Sequence, residues 1–203
     1  MTETPIQKYM ASLHDFASGA AATDFSGNSL PLQQAVDRVI DKVRAGVAAG
    51  GKIMFIGNGG SAGIASHLAI DYTKNGGLRA TAFNDPAALT CLGNDFGFEH
   101  VFAKQIEAHA RPDDLLVAIS SSGRSADILN GVAAARGRKC AVVTMSGFKG
   151  DNPLRKLGDY NFFVGSGEYG FVEIAHLALC HAVLDLAMGW RAAGDLSAAV
   201  TRA

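Results

Sequence analysis

The chain predicts an α/β fold: a doubly wound parallel sheet with helices on both faces. Five short apolar runs, 53–56, 81–83, 115–119, 140–145 and 161–164, alternate with segments of helical character. Runs that are apolar throughout suit strands buried on both faces, and the intervening helices supply the crossovers of a parallel sheet. Two of the runs also end in loops built of small residues, Gly57-Asn58-Gly59-Gly60-Ser61 and Ser120-Ser121-Ser122-Gly123-Arg124-Ser125. Each lies where a strand would hand over to a helix, the edge at which such sheets bind ligands.

In chain order, Ile6, Met10, Leu13 and Phe16 recur at helical spacing and predict a first helix. Residues 20–30 are rich in Gly, Ser and Asn and read as a loop. After Pro31, the positions Leu32, Val36, Val39, Ile40, Val43 and Val47 predict a second helix, which Gly50-Gly51 stops. From residue 52 the strands alternate with helices expected near 62–74, 86–92, 99–110, 125–136 and 170–190. Residues 1–50 thus form a helical segment ahead of a parallel α/β core at 51–203, within one domain of 1–203. Two amphipathic helices placed before a complete doubly wound unit have surplus apolar face, so they are expected to pack against another subunit.

The 203 residues are 48% hydrophobic and 18% charged, enough for one globular core. With 18 basic and 19 acidic residues the net charge is -1, which favours neither nucleic acid nor an anionic membrane as a partner. The first residues lack the basic and apolar regions of a secretory signal. The late apolar stretch 177–190 is broken by His181 and Asp185, so no membrane span is expected. Cys91, Cys140 and Cys180 are widely spaced and form no CxxC pair, which suits free thiols in a reducing cytoplasm.

The two loops carry the chemistry. At a helix start the first backbone N–H groups are unpaired, and the helix dipole adds partial positive charge, so an anion is welcome. Glycine lets backbone approach a ligand closely, and serine hydroxyls add donors without bulk. The first loop is no Walker A motif, because no Gly-Lys-Ser/Thr follows. It does match G-x-G-x-x-A through Gly57, Gly59 and Ala62, with Asp85 near the end of the second strand, so nicotinamide binding competes. That reading leaves the serine-rich second loop unexplained. The pair of loops together points to a small phosphorylated ligand.

His67 and Asp71 are four apart on the helix that the first loop opens. Glu173, His176 and His181 lie on the last long helix, with Glu173 and His181 two turns apart. Two histidines and two carboxylates could hold zinc. A histidine beside a carboxylate could equally move protons between adjacent carbons, and lone helix histidines are commonly surface or core residues.

At these residues the chain resembles the sugar isomerase (SIS) family, and within it the phosphoheptose isomerase branch. The resemblance rests on Gly57–Ser61 followed by His67, then Gly93-Asn94-Asp95-Phe96-Gly97, then Ser120–Ser125, and it runs from the N-terminal helices to His181. It implies a five-stranded parallel sheet flanked by helices, in a homotetramer with active sites near subunit interfaces. It implies that Ser61, Ser120, Ser121, Ser122 and Ser125, with Gly59 and Gly60, hold a sugar phosphate, and that Asn58 and Asp85 lie on the sugar. The family's zinc ligands, His, Glu, Gln and His, fall on His67, Asp71, Glu173 and His181, one ion per subunit. Asp71 and His181 take the places of its acid–base pair. Asp71 is one methylene shorter than the family's Glu, Glu173 adds a charge where the family has Gln, and Asn75 replaces a basic residue. The expected activity is an aldose–ketose isomerisation, sedoheptulose 7-phosphate to D-glycero-D-manno-heptose 7-phosphate, through a cis-enediol. The alternative is a non-catalytic SIS module that binds a sugar phosphate or a protein. Retention of both His67 and His181 favours the enzyme.

Overall fold

The computed structural model describes residues 3–191; the two ends of the expected 1–203 domain lie outside the described residues. The chain opens with α1 (Pro5–Ser18), β1 (Ala21–Asp24), β2 (Ser29–Leu30) and α2 (Leu32–Ala48). There follow β3 (Ile53–Gly57), α3 (Gly60–Lys74), β4 (Ala80–Ala82), α4 (Pro86–Phe96), α5 (Val101–His109) and β5 (Leu115–Ser120). The last elements are α6 (Ala126–Gly137), β6 (Ala141–Gly147), β7 (Tyr160–Val164) and α7 (Tyr169–Ala187).

One sheet forms in the order β2-β1-β7-β6-β5-β3-β4. The strands β3 to β7 pair in parallel, as the apolar runs predict. The stretch expected to be a loop at 20–30 is a β-hairpin instead. Its strand β1 runs antiparallel along β7 and carries β2 on its outer side, so the hairpin extends the expected five parallel strands to a sheet of seven among the described residues. The turn is local chemistry: Asp24 accepts hydrogen bonds from the Asn28 backbone N–H and side-chain amide, each 2.9 Å, and Gly27 takes a φ of +82°. The strand exists because the edge of β7 offers partners, which the short segment itself does not announce.

Alternate residues along each strand feed two cores, one on each face of the sheet. Ile53, Phe55, Leu115, Val117 and Ile119 pack beneath α2, α3 and α7. Met54, Ile56, Leu116 and Ala118 pack beneath α5 and α6. The expectation that both leading helices carry surplus apolar face needs correction for α2. Its residues Ala35, Val36, Val39, Ile40 and Val43 are buried within this chain. By contrast α1 buries nothing completely; it rests on α7 through Tyr9 and Phe16 against Phe171, while Ile6 and Met10 stay exposed.

Among the described residues, α7 is the one helix long and apolar enough to cross a membrane. Here it lies on the sheet, with Val172, Ala175, Leu179 and Val183 in the core. His176 is part of that core. It is fully buried, its Nε2 lies 3.0 Å from the Ser146 carbonyl, and burial pulls its pKa down to about 4, so it is a neutral structural histidine. Cys140 and Cys180 are buried free thiols and Cys91 is an exposed one.

Candidate active site

Strands β3 and β5 are neighbours, with Gly57 paired to Ile119, so the loops that follow them lie side by side at the carboxyl edge of the sheet. They enclose a cavity of about 250 Å³, lined by Asn58, Gly59, Gly60, Ser61, Ser120, Ser121, Ser122, Ser125, Tyr169 and Glu173. A Cβ on Gly57 would stand 2.6 Å from the Ser61 backbone, so only glycine lets α3 begin this close to the strand. Gly123 adopts a φ of +62°, and a Cβ there would fall on the side chain of Asn152. Asn152 is fully buried and holds this turn from below: it donates to the carbonyls of Gly147 and Lys149 and accepts from the Arg155 N–H.

The serines have separate duties. Ser120 Oγ accepts from the Gly123 N–H and lies 3.4 Å from Ser125 Oγ. Ser122 Oγ accepts from the Arg124 N–H. Ser121 Oγ is buried with no partner, an arrangement that costs stability unless a ligand or water answers it. The lining contains no lysine or arginine, and Arg124 is paired with Asp151 at 2.8 Å. Among the described residues, an anion in this cavity would be held by helix N-termini and hydroxyls.

Further along α3, His67 and Asp71 face His181 from α7. His67 Nε2 lies 3.3 Å from Asp71 Oδ2 and 3.1 Å from His181 Nε2, and His181 Nδ1 lies 3.8 Å from Asp71 Oδ2. The three side chains form a group whose ligand atoms all lie within 4.8 Å of one another. Asp71 is the most enclosed of them, with 19% of its side chain exposed.

A family model described as the SIS domain matches residues 25–147. The chain belongs to the SIS family. It is 35% identical over 185 residues to the phosphoheptose isomerase of Solidesulfovibrio magneticus, which is 88% of each chain. It is 39% identical over 152 residues to that of Rhodospirillum rubrum, covering 71% of this chain and 79% of the relative. The solved phosphoheptose isomerase of Neisseria gonorrhoeae superposes with a TM-score of 0.78 at 30% identity, over 91% of this chain and 97% of that one. The one from Francisella tularensis gives 0.76 at 28% identity, over 90% and 95%.

Within this SIS chain the expected site residues fall into two groups, with one outlier. Asn58, Gly59, Gly60, Ser61, Ser120, Ser121, Ser122, Ser125 and Glu173 meet at the cavity. His67, Asp71 and His181 meet further along the two helices, α3 and α7, that help to line the cavity. Glu173 is not in that second group; its carboxylate lies against Gly60, so close that a Cβ there would collide with it. Asp85 stands apart: its carboxylate caps α4 by accepting from the Ala88 N–H, and it lines a different depression beside Arg79 and His109. Two residues that sequence reasoning passed over also belong to the cavity region. Tyr169 lines it, one turn before Glu173 on α7, and Asp127 supports it from α6 through Asn58.

The donor set suits zinc. Ligands ~2.0–2.1 Å from a tetrahedral ion stand roughly 3.3 Å apart; His67 stands 3.1 Å from His181 and 3.3 Å from Asp71, while His181 reaches Asp71 at 3.8 Å through its other ring nitrogen. Two imidazoles and one carboxylate would leave the fourth position open, as catalytic sites do.

Proposed function

We propose that this chain is an aldose–ketose isomerase of a phosphorylated sugar, converting sedoheptulose 7-phosphate to D-glycero-D-manno-heptose 7-phosphate. The observation that carries the reading is the placement of His67 and Asp71 on the helix that grows out of the first loop, where His181 of α7 meets them. From Ser61 to His67 that helix rises about 9 Å, so an anchored phosphate and a reacting carbon further along one sugar chain are served together. The likeness to the phosphoheptose isomerases supports the choice of sugar.

The phosphate rests on the N-termini of α3 and α6 and on the serine hydroxyls. Asp71 and His181 form the proton-transfer pair. A base takes the proton from the carbon beside the carbonyl and leaves a cis-enediol. An acid returns a proton to the neighbouring carbon while the two oxygens exchange theirs. His67 Nε2, within 3.3 Å of Asp71 and 3.1 Å of His181, links the two groups. Zinc held by His67, Asp71 and His181 would supply charge to polarise the sugar oxygens.

The test is incubation with sedoheptulose 7-phosphate in deuterated water, followed by NMR. Conversion with deuterium at the carbon beside the carbonyl is expected, together with about one zinc per chain in protein purified without chelator. Binding without exchange on any ketose phosphate would point to the non-catalytic SIS module. The orphaned hydroxyl of Ser121 gives a second test. Ser121→Ala removes an unsatisfied buried group, so thermal stability should hold or rise slightly while sugar-phosphate affinity falls roughly tenfold. Equal affinity in the variant would remove Ser121 from the phosphate cup.

We also propose a homotetramer in the cytoplasm. The exposed Ile6 and Met10 of α1 supply the contact face, and free thiols suit a reducing compartment. Light scattering should return four times the chain mass; a monomer at micromolar concentration would refute the assembly.

A further inference from the structure

Asn58 has a side-chain amide that could present either end to the cavity. Its Nδ2 donates to Asp127 Oδ1 at 3.0 Å, across from the first loop to the first turn of α6. Asp127 is only 3% exposed, and its other carboxyl oxygen is buried with no partner. Among the described residues no donor reaches the Asn58 carbonyl oxygen, although Asn58 lines the cavity. The bond also ties the two loops to each other.

We infer that Asp127 is a positioning residue: by accepting from the Asn58 amide it turns the Asn58 carbonyl toward the cavity, as a fixed acceptor for a hydroxyl of the bound sugar. Serine and tyrosine hydroxyls rotate to suit whatever a ligand offers. An amide held by an acceptor does not, so it selects. The phosphoryl group of a sugar phosphate is mostly a dianion at neutral pH and then carries no donor for that carbonyl, whereas the sugar hydroxyls do. Asp127 would therefore influence recognition of the sugar and leave recognition of the phosphate unchanged.

What the Asn58 amide takes from Asp127 is an acceptor oxygen. Burial raises the Asp127 pKa, against the opposing pull of the Asn58 hydrogen bond and the N–H groups at the start of α6. An amide in its place keeps an acceptor oxygen of the same shape.

The inference rests on the proposed isomerase, and the experiment separates the two. Turnover of sedoheptulose 7-phosphate and competitive inhibition by inorganic phosphate are measured for the wild type, Asp127→Ala and Asp127→Asn. In Asp127→Ala the KM for the sugar phosphate should rise roughly tenfold, the scale of one hydrogen bond, with the phosphate inhibition constant unchanged. Asp127→Asn should restore most of the loss. In an Asn58→Ala background, adding Asp127→Ala should change nothing further, because its effect runs through Asn58. That cycle also serves if Asp127→Ala alone folds poorly. Equal losses for sugar phosphate and inorganic phosphate, no loss at all, or full additivity in the double variant would overturn the positioning role. A wild type that turns over no sugar phosphate would overturn the isomerase reading, and this one with it.

Discussion

Asp71→Asn should yield a folded protein that has lost at least about a hundredfold in turnover, the scale of a positioned acid–base group. The substitution keeps the shape of the side chain and removes its ability to take a proton. Asp71 sits in the last turn of α3, and among the described residues its carboxylate pairs with the rings of His67 and His181, so no buried packing is disturbed. Circular dichroism and thermal midpoint should match the wild type. Sugar-phosphate binding should persist, because the serine loops are untouched. Turnover within a few-fold of the wild type would place the base elsewhere, with Glu173 the next residue to test, since its carboxylate already lines the cavity. Asp71→Glu adds a second reading. The longer side chain would move the carboxylate by about one C–C bond, enough to change rate substantially. Higher activity would mean that Asp71 is a tuned-down base; lower activity would mean that the pocket is built around the shorter residue.

Gly123→Ala should be the most damaging single-methyl change in the phosphate cup. The backbone there is left-handed, at a φ of +62°, which costs an L-residue about 1–2 kcal/mol. The new methyl would also meet Asn152, whose amide ties the Gly147 and Lys149 carbonyls beneath the loop. Displacing that amide leaves buried polar groups unpaired, at about 1–3 kcal/mol more. At roughly 2–4 °C per kcal/mol for a chain of this size, the thermal midpoint should fall by at least about 5 °C. Phosphate affinity should fall more than tenfold as Ser120 and Ser121 shift. Gly63→Ala is the control: it lies in α3 with open space around its Cβ position, and it should be neutral or gain about 0.5–1 kcal/mol. A normal midpoint and normal phosphate binding in Gly123→Ala would show that the turn relaxes without cost.

The parallel strands were legible because burial on both faces leaves an unbroken apolar mark on each of them. The hairpin was not: Ala21–Asp24 becomes a strand through pairing with residues 160–163, and nothing local encodes that partner. Amphipathic spacing likewise shows that α2 has an apolar face but not whether its own sheet or another chain covers it. The two loops and the His67–Asp71 pair were readable because their spacing is short and lies within single elements. Glu173 and His181 were grouped because they are two turns apart. Eight residues at 100° each leave about 80° between their directions, and Glu173 turns to the cavity while His181 turns to His67. Counting from a dinucleotide fingerprint drew attention to Asp85, which caps α4. Asp127 escaped notice because an acidic residue in the first turn of a helix looks ordinary until its partner 69 positions away is known.

The placement of α7 bears on the order in which the molecule is completed during synthesis. Both phosphate-type loops and the helices behind them emerge from the ribosome before residue 169. Tyr169, Glu173 and His181 all arrive with α7, the last helix of the described chain. The earliest segments wait for the same event: β1 needs β7, and α1 needs Phe171. Closing contacts between distant parts of a chain carries an entropic cost that is met before the contacts reward it, which delays them in folding. A chain halted before α7 would thus hold both loops, His67 and Asp71 but neither Glu173 nor His181, and α7 would supply the second half of the acid–base pair together with Phe171, against which α1 rests.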